Sequence, residues 1–381
     1  MTISNAEKIR QVFHERVHLE QSAHNQISEI IASESSFGEQ IDAIADVRNW
    51  FRPKEATRKV IDSYMSGVLS VNEAVAQLAG RVEEVYYKQI REEGRYQTPL
   101  HELWNLWNGM IHAAKKIHWE NEDSHNDQEK LLGLVRMLKL RTDVIPTRYK
   151  HPPKSRYVSL EDRSILWSRT NGFGLAIAEA DNDMPGRNHG YAHVEIEVQA
   201  ALNYCAFLAR LTITGLRDCL NKGRVWMVCA TDGQMCKHHG GVDEQQNNIL
   251  FRIASVWLRL AGPKMWEACC QGSRWVTEEK EVDVSANPKS KRLPWYGKQS
   301  YSKAAEETWE DMYLVRNAVQ WSRARWCYWK RRLLLVTKST NRRWSDGSKE
   351  AAQEMVSLME EIERSSLQLS LVWKASELRI Y

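Results

Sequence analysis

Long stretches of helically spaced apolar residues, separated by few prolines, constrain this chain most. Nine prolines in 381 residues gather at a few joints, and from Val71 onward apolar side chains recur three and four positions apart, the period of one helix face. Ser70 and Glu73 have the spacing of a capping box, and Thr98 with Pro99 supplies an N-cap and a first-turn proline for another helix. Alternating runs rich in Val, Ile and Thr are scarce. The sequence therefore predicts an all-α, multi-helix bundle or array without a substantial sheet.

The length and the apolar content are enough for a sizeable core. The chain has 381 residues, of which 43% are apolar, so a folded protein is expected. Two polar segments rich in Pro, Lys and Ser, 148–157 and 284–300, are the strongest linker candidates. We predict one compact unit with three parts: an N-terminal helical extension (1–60), a main helical domain (61–284) and a Trp-rich C-terminal segment that packs on it (285–381).

Charge and cysteine usage disfavour several classes of partner and compartment. The 53 basic and 49 acidic residues leave a net charge of +4, and they are interspersed, unlike the basic stripe that binds nucleic acid. No apolar run approaches the length of a membrane span, and the polar N-terminus lacks a signal sequence. The seven cysteines lack CxxC spacing and suit buried reduced thiols. We expect a cytoplasmic protein that binds neither nucleic acid nor membrane.

Common cofactor and metal motifs are missing from the sequence. It contains no phosphate-binding loop, dinucleotide fingerprint, nucleophile elbow or metalloprotease motif, so no cofactor is predicted. His189, His193 and Glu197 have a spacing that could bind a metal on one helix face, but Gly190 weakens a helix there, and a polar loop is the favoured interpretation. The same holds for a second group of possible ligands, whose spacing matches no standard zinc pattern: Cys229, Cys236, His238 and His239.

The segment WSRARWCYWKRRLL (321–334) concentrates tryptophan and basic residues, which raises the question of a nucleic-acid surface. On a helix, Trp326, Trp329 and Leu333 fall on one inward stripe. Ser322 and Val336 extend the stripe, while Arg325, Arg332, Arg323 and Lys330 border it and Arg331 points away. Stacking platforms need exposed aromatics beside the charge, so the pattern favours a core stripe with basic residues at its rim.

These residues also carry a resemblance to a known family. The Trp-x-Gly element followed by an Arg-Trp-x-x-Trp-Lys helix resembles the C-terminal pattern of the DUF3632 family, a filamentous-fungal family of unknown function; the matching residues are Trp295, Gly297, Arg325, Trp326, Trp329 and Lys330. NYCAFLARLT is similar to a second element of the family, through Asn203, Phe207, Ala209, Arg210 and Leu211. The resemblance runs from about Met65 to Glu363, with Ala201 at a position where the family pattern has tryptophan. It implies an all-helical intracellular fungal protein without a settled activity.

Asn203 and Arg210 lie two turns apart on one face of an otherwise apolar helix. In one interpretation they are structural, with Arg210 paired to a carboxylate such as Glu197 or Asp218, because a buried arginine needs a partner. In the other they donate hydrogen bonds to a ligand in a helix-lined pocket.

Two functions fit the sequence. In the first, the helices enclose an apolar, aromatic-walled site that binds a small molecule and promotes a cofactor-independent cyclisation or isomerisation in secondary metabolism, which needs shape, dryness and a few polar groups. Its catalytic residues are predicted to be Glu197, His193, Asn203 and Arg210, and its substrate-binding residues to be Trp104, Trp107, Phe207, Trp326 and Trp329. In the alternative, the protein is a non-enzymatic helical module that binds a protein partner.

Overall fold

The protein is built from α-helices. The computed structural model describes residues 5–88, 91–92, 95–96, 99–120, 122–143, 166–185, 193–232, 244–272, 321–340 and 344–377. Their helices are α1 (Asn5–Ala32), α2 (Phe37–Val47), α3 (Glu55–Met65), α4 (Val71–Lys88), α5 (Pro99–Lys115), α6 (Glu122–Leu140), α7 (Phe173–Ala180), α8 (Glu195–Ile213), α9 (Leu220–Asp232), α10 (Glu244–Gln271), α11 (Arg323–Thr337) and α12 (Asp346–Glu377). A 3-10 turn (Asp181–Asp183) continues α7, and a short hairpin pairs β1 (Arg91–Glu92) with β2 (Arg95–Tyr96). The all-α prediction is confirmed.

The helix starts follow the local signals in the sequence. Helix α4 begins at Val71 as predicted, because the Ser70 N–H donates to Glu73 Oε2 (2.8 Å) and Ser70 Oγ accepts from the Glu73 N–H (3.3 Å). Helix α5 begins at Pro99, also as predicted. A second capping box, between Ser36 and Glu39, starts α2.

Helix α8 lies at the centre of the packing. It contacts α2, α5, α6, α9 and α10, while α10 in turn packs against α9, α11 and α12. One continuous apolar cluster extends from Val60 in α3 to Ile362 in α12. The predicted boundary after residue 60 falls inside α3, and the division into three parts stays a prediction.

A smaller apolar cluster attaches the N-terminal helices to this centre. Ile27 of α1, Ile41 and Ile44 of α2, Trp50 of the α2–α3 connection and Ala200 of α8 belong to it. Among the described helices, none is long and apolar enough to span a bilayer.

The tryptophan stripe of α11 is buried, as the segment 321–334 predicted. Trp326, Trp329 and Leu333 are fully inaccessible to solvent. Two details differ from the prediction. Ser322 precedes the helix and caps it, since its Oγ accepts from the Arg325 N–H (3.1 Å), and Arg325 is buried, not at the rim. Its guanidinium lies 6.0 Å from the centre of the Trp329 ring, which provides a cation–π contact in place of water.

Candidate functional site

Helix α5 buries two opposite faces, one apolar and one polar. Leu103, Trp107 and Met110 are among the side chains of its apolar face, as the spacing predicted. The opposite side carries four buried polar residues, which we call the α5 polar face: Asn105, Asn108, His112 and Lys115. Their spacing of three, four and three places them within an arc of roughly 80°. A helix that is buried all round needs partners for every polar group.

The N-terminal half of the α5 polar face fixes the start of α3. Asn105 Oδ1 accepts from the backbone N–H of Lys54 (2.6 Å), and Asn105 Nδ2 donates to Thr57 Oγ1 (2.6 Å). Asn108 Nδ2 donates to the carbonyl of Trp104, one turn earlier (2.9 Å). This half of the face is occupied by structural hydrogen bonds.

Lys115, at the C-terminal end of the face, is a buried ammonium group. Its Nζ lies 3.3 Å from Asp183 Oδ2 and 4.3 Å from the centre of the Trp50 ring, and only 5% of the residue is exposed. Burial lowers the pKa of Lys115 and raises the pKa of Asp183, while the attraction between the two charges opposes both changes. The pair therefore joins an acid and a base whose charged forms are both disfavoured by desolvation.

His112 lies one turn before Lys115 and pairs with Asp42 of α2. His112 Nε2 is 2.6 Å from Asp42 Oδ1, and the Lys116 ammonium is 3.2 Å from Oδ2 of the same carboxylate. Burial lowers the pKa of His112, against the opposing effect of Asp42. Burial alone would raise the pKa of Asp42, but the His112 hydrogen bond and the Lys116 charge outweigh it and lower that pKa to about 2.

Glu197 and His193, the predicted acid/base residues, lie at the start of α8 and belong to an ion pair with Arg48. Arg48 Nε is 2.6 Å from Glu197 Oε1 and Nη2 is 3.1 Å from Oε2, while His193 Nδ1 is 3.8 Å from Oε2. Burial alone would raise the pKa of Glu197, but the nearby His193 and the hydrogen bonds and charge of Arg48 outweigh it, so the pKa is lowered. A bidentate guanidinium thus holds Glu197 as a carboxylate.

Asn203 and Arg210, the predicted donors, are both directed at the connection between α5 and α6. Asn203 Nδ2 donates to the Lys115 carbonyl (2.9 Å), and Asn203 Oδ1 accepts from the Trp119 N–H (3.1 Å). Arg210 donates to Gln128 Oε1 and to the Trp119 carbonyl (3.3 Å).

Within the described residues, the hydrogen bonds of Arg210 do not go to Glu197 or Asp218, the carboxylate partners that we expected. Glu197 is bound by Arg48, and the hydrogen bonds of Arg210 go to an amide and a carbonyl oxygen. The five guanidinium hydrogens can be shared among neutral acceptors, so a buried arginine does not require an ion pair. The hydrogen bonds of both residues described here go to neighbouring helices and their connection, and a role toward a ligand stays a prediction.

The aromatic residues predicted to form walls divide between two places. Trp107 stacks on Phe173 (ring centres 4.5 Å apart) and donates to the Asn171 carbonyl (2.6 Å), and Trp104 is half-buried against Phe51.

The other predicted walls belong to the centre and to the C-terminal helices. Phe207 is fully buried in α8. Trp326 donates to Glu363 Oε1 of α12 (2.8 Å), and Trp329 meets Trp321 edge-on (6.1 Å). The predicted set is therefore not one continuous wall in contact with the α5 polar face, and its binding role stays a prediction.

The possible metal ligands fall mostly outside the described part of the chain. There, in positions 186–192 and 233–243, lie His189, Cys236, His238 and His239. Cys229 is buried in α9. Among the residues that the structure describes, no three His, Cys, Asp or Glu side chains are grouped as metal ligands.

Four residues of this site were not singled out from the sequence: Asp42, Trp50, His112 and Lys115. One signal was present, because the α5 polar face follows a helical spacing just as the apolar face does. Polar residues at such spacing usually face solvent, and the partners that cover these come from distant segments. The buried state of the face is therefore visible only in the tertiary structure.

Comparison with known proteins adds a family to this geometry. A family model described as "Protein of unknown function (DUF3632)" matches residues 107–333. No curated protein and no solved structure matches the chain. The matched range includes His112, Lys115 and Asp183 and leaves out Asp42 and Trp50.

Proposed function

Since that model matches more than half of the chain, the protein belongs to the DUF3632 family of proteins of unknown function, and we propose that it binds an apolar small molecule and promotes its cofactor-independent cyclisation or isomerisation. We place the reaction beside Lys115, Asp183 and Trp50, and assign it to secondary metabolism. The six described cysteines are free thiols, which supports a cytoplasmic setting.

The observation that carries this proposal is the Lys115–Asp183 pair. The two side chains are 3.3 Å apart and largely removed from water. Because desolvation disfavours both charges, the neutral amine and the protonated carboxyl become accessible alternatives to the ion pair. Buried acid–base pairs with such opposite pKa changes are typical of functional sites.

The pair supplies both proton transfers of an isomerisation. The neutral Lys115 amine takes a proton from one position of the substrate, and the Asp183 carboxyl delivers a proton to another position, which leaves the ammonium and the carboxylate. A proton passing from Lys115 to Asp183 restores the starting state. No electron enters or leaves, so the step needs no redox cofactor. Trp50 contributes an aromatic surface that stabilises developing positive charge.

The residues predicted from the sequence take supporting roles in this scheme. Trp107 stacks on Phe173 and so fixes α7, and the 3-10 turn that continues α7 carries Asp183. Asn203 holds the carbonyl of Lys115, and Arg210 holds the connection that follows it. Glu197 with His193 anchors Arg48 near Trp50, while Phe207, Trp326 and Trp329 act as core residues.

The test is turnover of an apolar extract. We would incubate the full chain with an ethyl acetate extract of the cells that produce it, and follow tryptophan fluorescence, thermal melting and mass spectra. We expect a ligand that raises the melting temperature and a product of identical mass. Lys115→Met and Asp183→Asn should each lower the rate by about 100-fold or more.

Matched controls separate this chemistry from general damage. Lys330→Met removes an ion pair with Glu363 at the α11–α12 contact, and Asp346→Asn changes an exposed carboxylate, so both should keep full turnover. An extract left unchanged by the wild-type chain, or turnover that persists in both site variants, would refute the proposal.

One observation favours the protein-interaction alternative. Val12 and Leu19 of α1 lie seven residues apart on one helix face and are 64% and 71% exposed. An apolar pair of this kind can bind a partner helix. This second function does not depend on Lys115 or Asp183, so it would be supported by a partner whose binding survives both site variants.

A further inference from the structure

His112 presents a buried nitrogen without a hydrogen-bond partner. The residue is 3% exposed, and its Nε2 is taken by Asp42 at 2.6 Å. Its Nδ1 is closed off from solvent and makes no hydrogen bond to any part of the chain that the structure describes. Nearly all buried polar atoms in proteins are paired, so such an atom indicates a partner that is not part of these residues.

The surroundings of Asp42 determine what kind of partner this is. Asp42 accepts from Lys116, whose Nζ lies 3.2 and 3.5 Å from the two carboxylate oxygens, and the Arg58 guanidinium is 3.9 Å away. These cations keep Asp42 ionised, and an ionised carboxylate only accepts hydrogen bonds. The ring proton of neutral His112 therefore lies on Nε2, which leaves a lone pair on Nδ1.

The position of His112 connects this lone pair to the Lys115–Asp183 site. The two residues are three apart on α5, so their side chains are neighbours on the α5 polar face. Because Nδ1 is an acceptor, the group that completes it is a donor, and that group reaches an atom that is closed off from solvent. A hydroxyl or amino group on an apolar body meets both conditions.

We propose that His112 Nδ1 is a ligand-binding acceptor, and that the small molecule bound by this protein carries an O–H or N–H group that donates to it. The assignment rests on the proposed function, since it concerns the ligand of the same site, and it narrows the ligand class to apolar molecules with a hydrogen-bond donor. Asp42 is a positioning residue, because it fixes the tautomer of His112 without touching the ligand.

The test uses phenol and toluene, which have nearly the same shape and differ in the donor. The full chain is labelled with 15N in its histidine rings, and the resonance of His112 is assigned as the one lost in His112→Gln. Phenol should shift the Nδ1 resonance toward the hydrogen-bonded value in a saturable manner, and toluene should not. No shift with phenol, or an equal shift with toluene, would overturn the proposal and leave a resident water as the partner of Nδ1.

Asp42→Asn supplies the tautomer control. Lys116 attracts the carbonyl oxygen of the new amide, so its NH2 group faces Nε2 and the ring proton moves to Nδ1. Nδ1 should then resonate as a protonated ring nitrogen, and the shift that phenol causes on an accepting Nδ1 should be lost at unchanged circular dichroism. Asp62→Asn changes another carboxylate that lies 3.9 Å from Lys116 and should preserve the shift. Persistence of the shift in Asp42→Asn would contradict the assigned tautomer.

The two proposals fail in different ways. Suppose that turnover of the extract depends on Lys115 and Asp183, but phenol does not shift the Nδ1 resonance. That result would overturn the role of His112 alone. A phenol shift in a chain that turns over nothing would support the acceptor site and refute the acid–base reaction.

Discussion

Asp42 shows how one residue connects three segments of the chain. It accepts from His112 of α5 and from Lys116, which directly follows that helix, and it faces Arg58 of α3. Removing its charge leaves these half-buried groups without their common partner. Unsatisfied donors of this kind cost free energy, because they were removed from water without a replacement hydrogen bond. The residue therefore links stability to pH.

Acid unfolding should reveal this link. The pKa of Asp42 is about 2 in the folded protein against an ordinary value of 3.8. Because the folded-state pKa is depressed, the stabilisation is fully present above about pH 4 and is lost as the pH falls from about 4 to about 2. The loss amounts to about 2 kcal/mol. Urea unfolding between pH 2 and 5 should show this slope in the wild type and a flatter one in Asp42→Asn. Parallel slopes would contradict the assignment.

For single residues, the sequence indicates which buried polar side chains need a partner. It does not indicate which residue that partner is. Arg210 and Glu197 are buried, as residues on an apolar helix face would be, but they do not pair with each other. The partner of Glu197 is Arg48, 149 residues earlier. Lys115 depends on Trp50 and Asp183 in the same way. Such pairs are set by which helices become neighbours, and spacing within one helix does not contain that information.

The positions of the helices were easier to predict from the sequence than the contacts between distant residues. The starts of α4 and α5 follow from a capping box and a first-turn proline, and the buried stripe of α11 follows from its apolar spacing. The polar face of α5 was missed because periodicity separates two faces without telling which of them meets solvent. Helix α5 is buried on both faces, so the usual assumption that its polar face is exposed to solvent fails.

Close approach between α9 and α10 gives a prediction at this scale. A Cβ added at Gly223 would lie 2.7 Å from Cε3 of the buried Trp257 ring. Gly223→Ala should destabilise the protein by about 1–2 kcal/mol, because overpacking outweighs the gain in helix propensity. Chemical denaturation measures the change.

Gly80 of α4 is the matched control, since a Cβ there would meet no atom within 4 Å. Gly80→Ala should stabilise the protein by about 0.5–1 kcal/mol. If the two variants shift the free energy of unfolding in the same direction, the tight α9–α10 contact is not the cause.

For the whole molecule, α8 joins the N-terminal helices to the C-terminal ones. It contacts α2, α5 and α6, which precede it in the chain, and α9 and α10, which follow it, and the apolar cluster around it is continuous. The sequence suggested one compact unit from its apolar content, but the choice of α8 as the central helix depends on contacts between distant segments.

We expect the helices around α8 to unfold together. Phe207→Ala removes a fully buried ring from α8 and should cost about 3–5 kcal/mol. Tryptophan fluorescence and far-ultraviolet circular dichroism should shift by the same denaturant concentration and stay superimposable. Two separated transitions, with only one moved by the substitution, would instead indicate independent domains.

The last carbonyl group of α5 is hydrogen-bonded by a side chain that lies much later in the sequence. Asn203 binds the Lys115 carbonyl from 88 residues further along. At translation rates of about 5–20 residues per second, the last turn of α5 waits roughly 4 to 18 seconds for that partner to be synthesised. During this interval the Lys115 carbonyl is exposed to water, and the end of α5 gains this hydrogen bond only once α8 has left the ribosome.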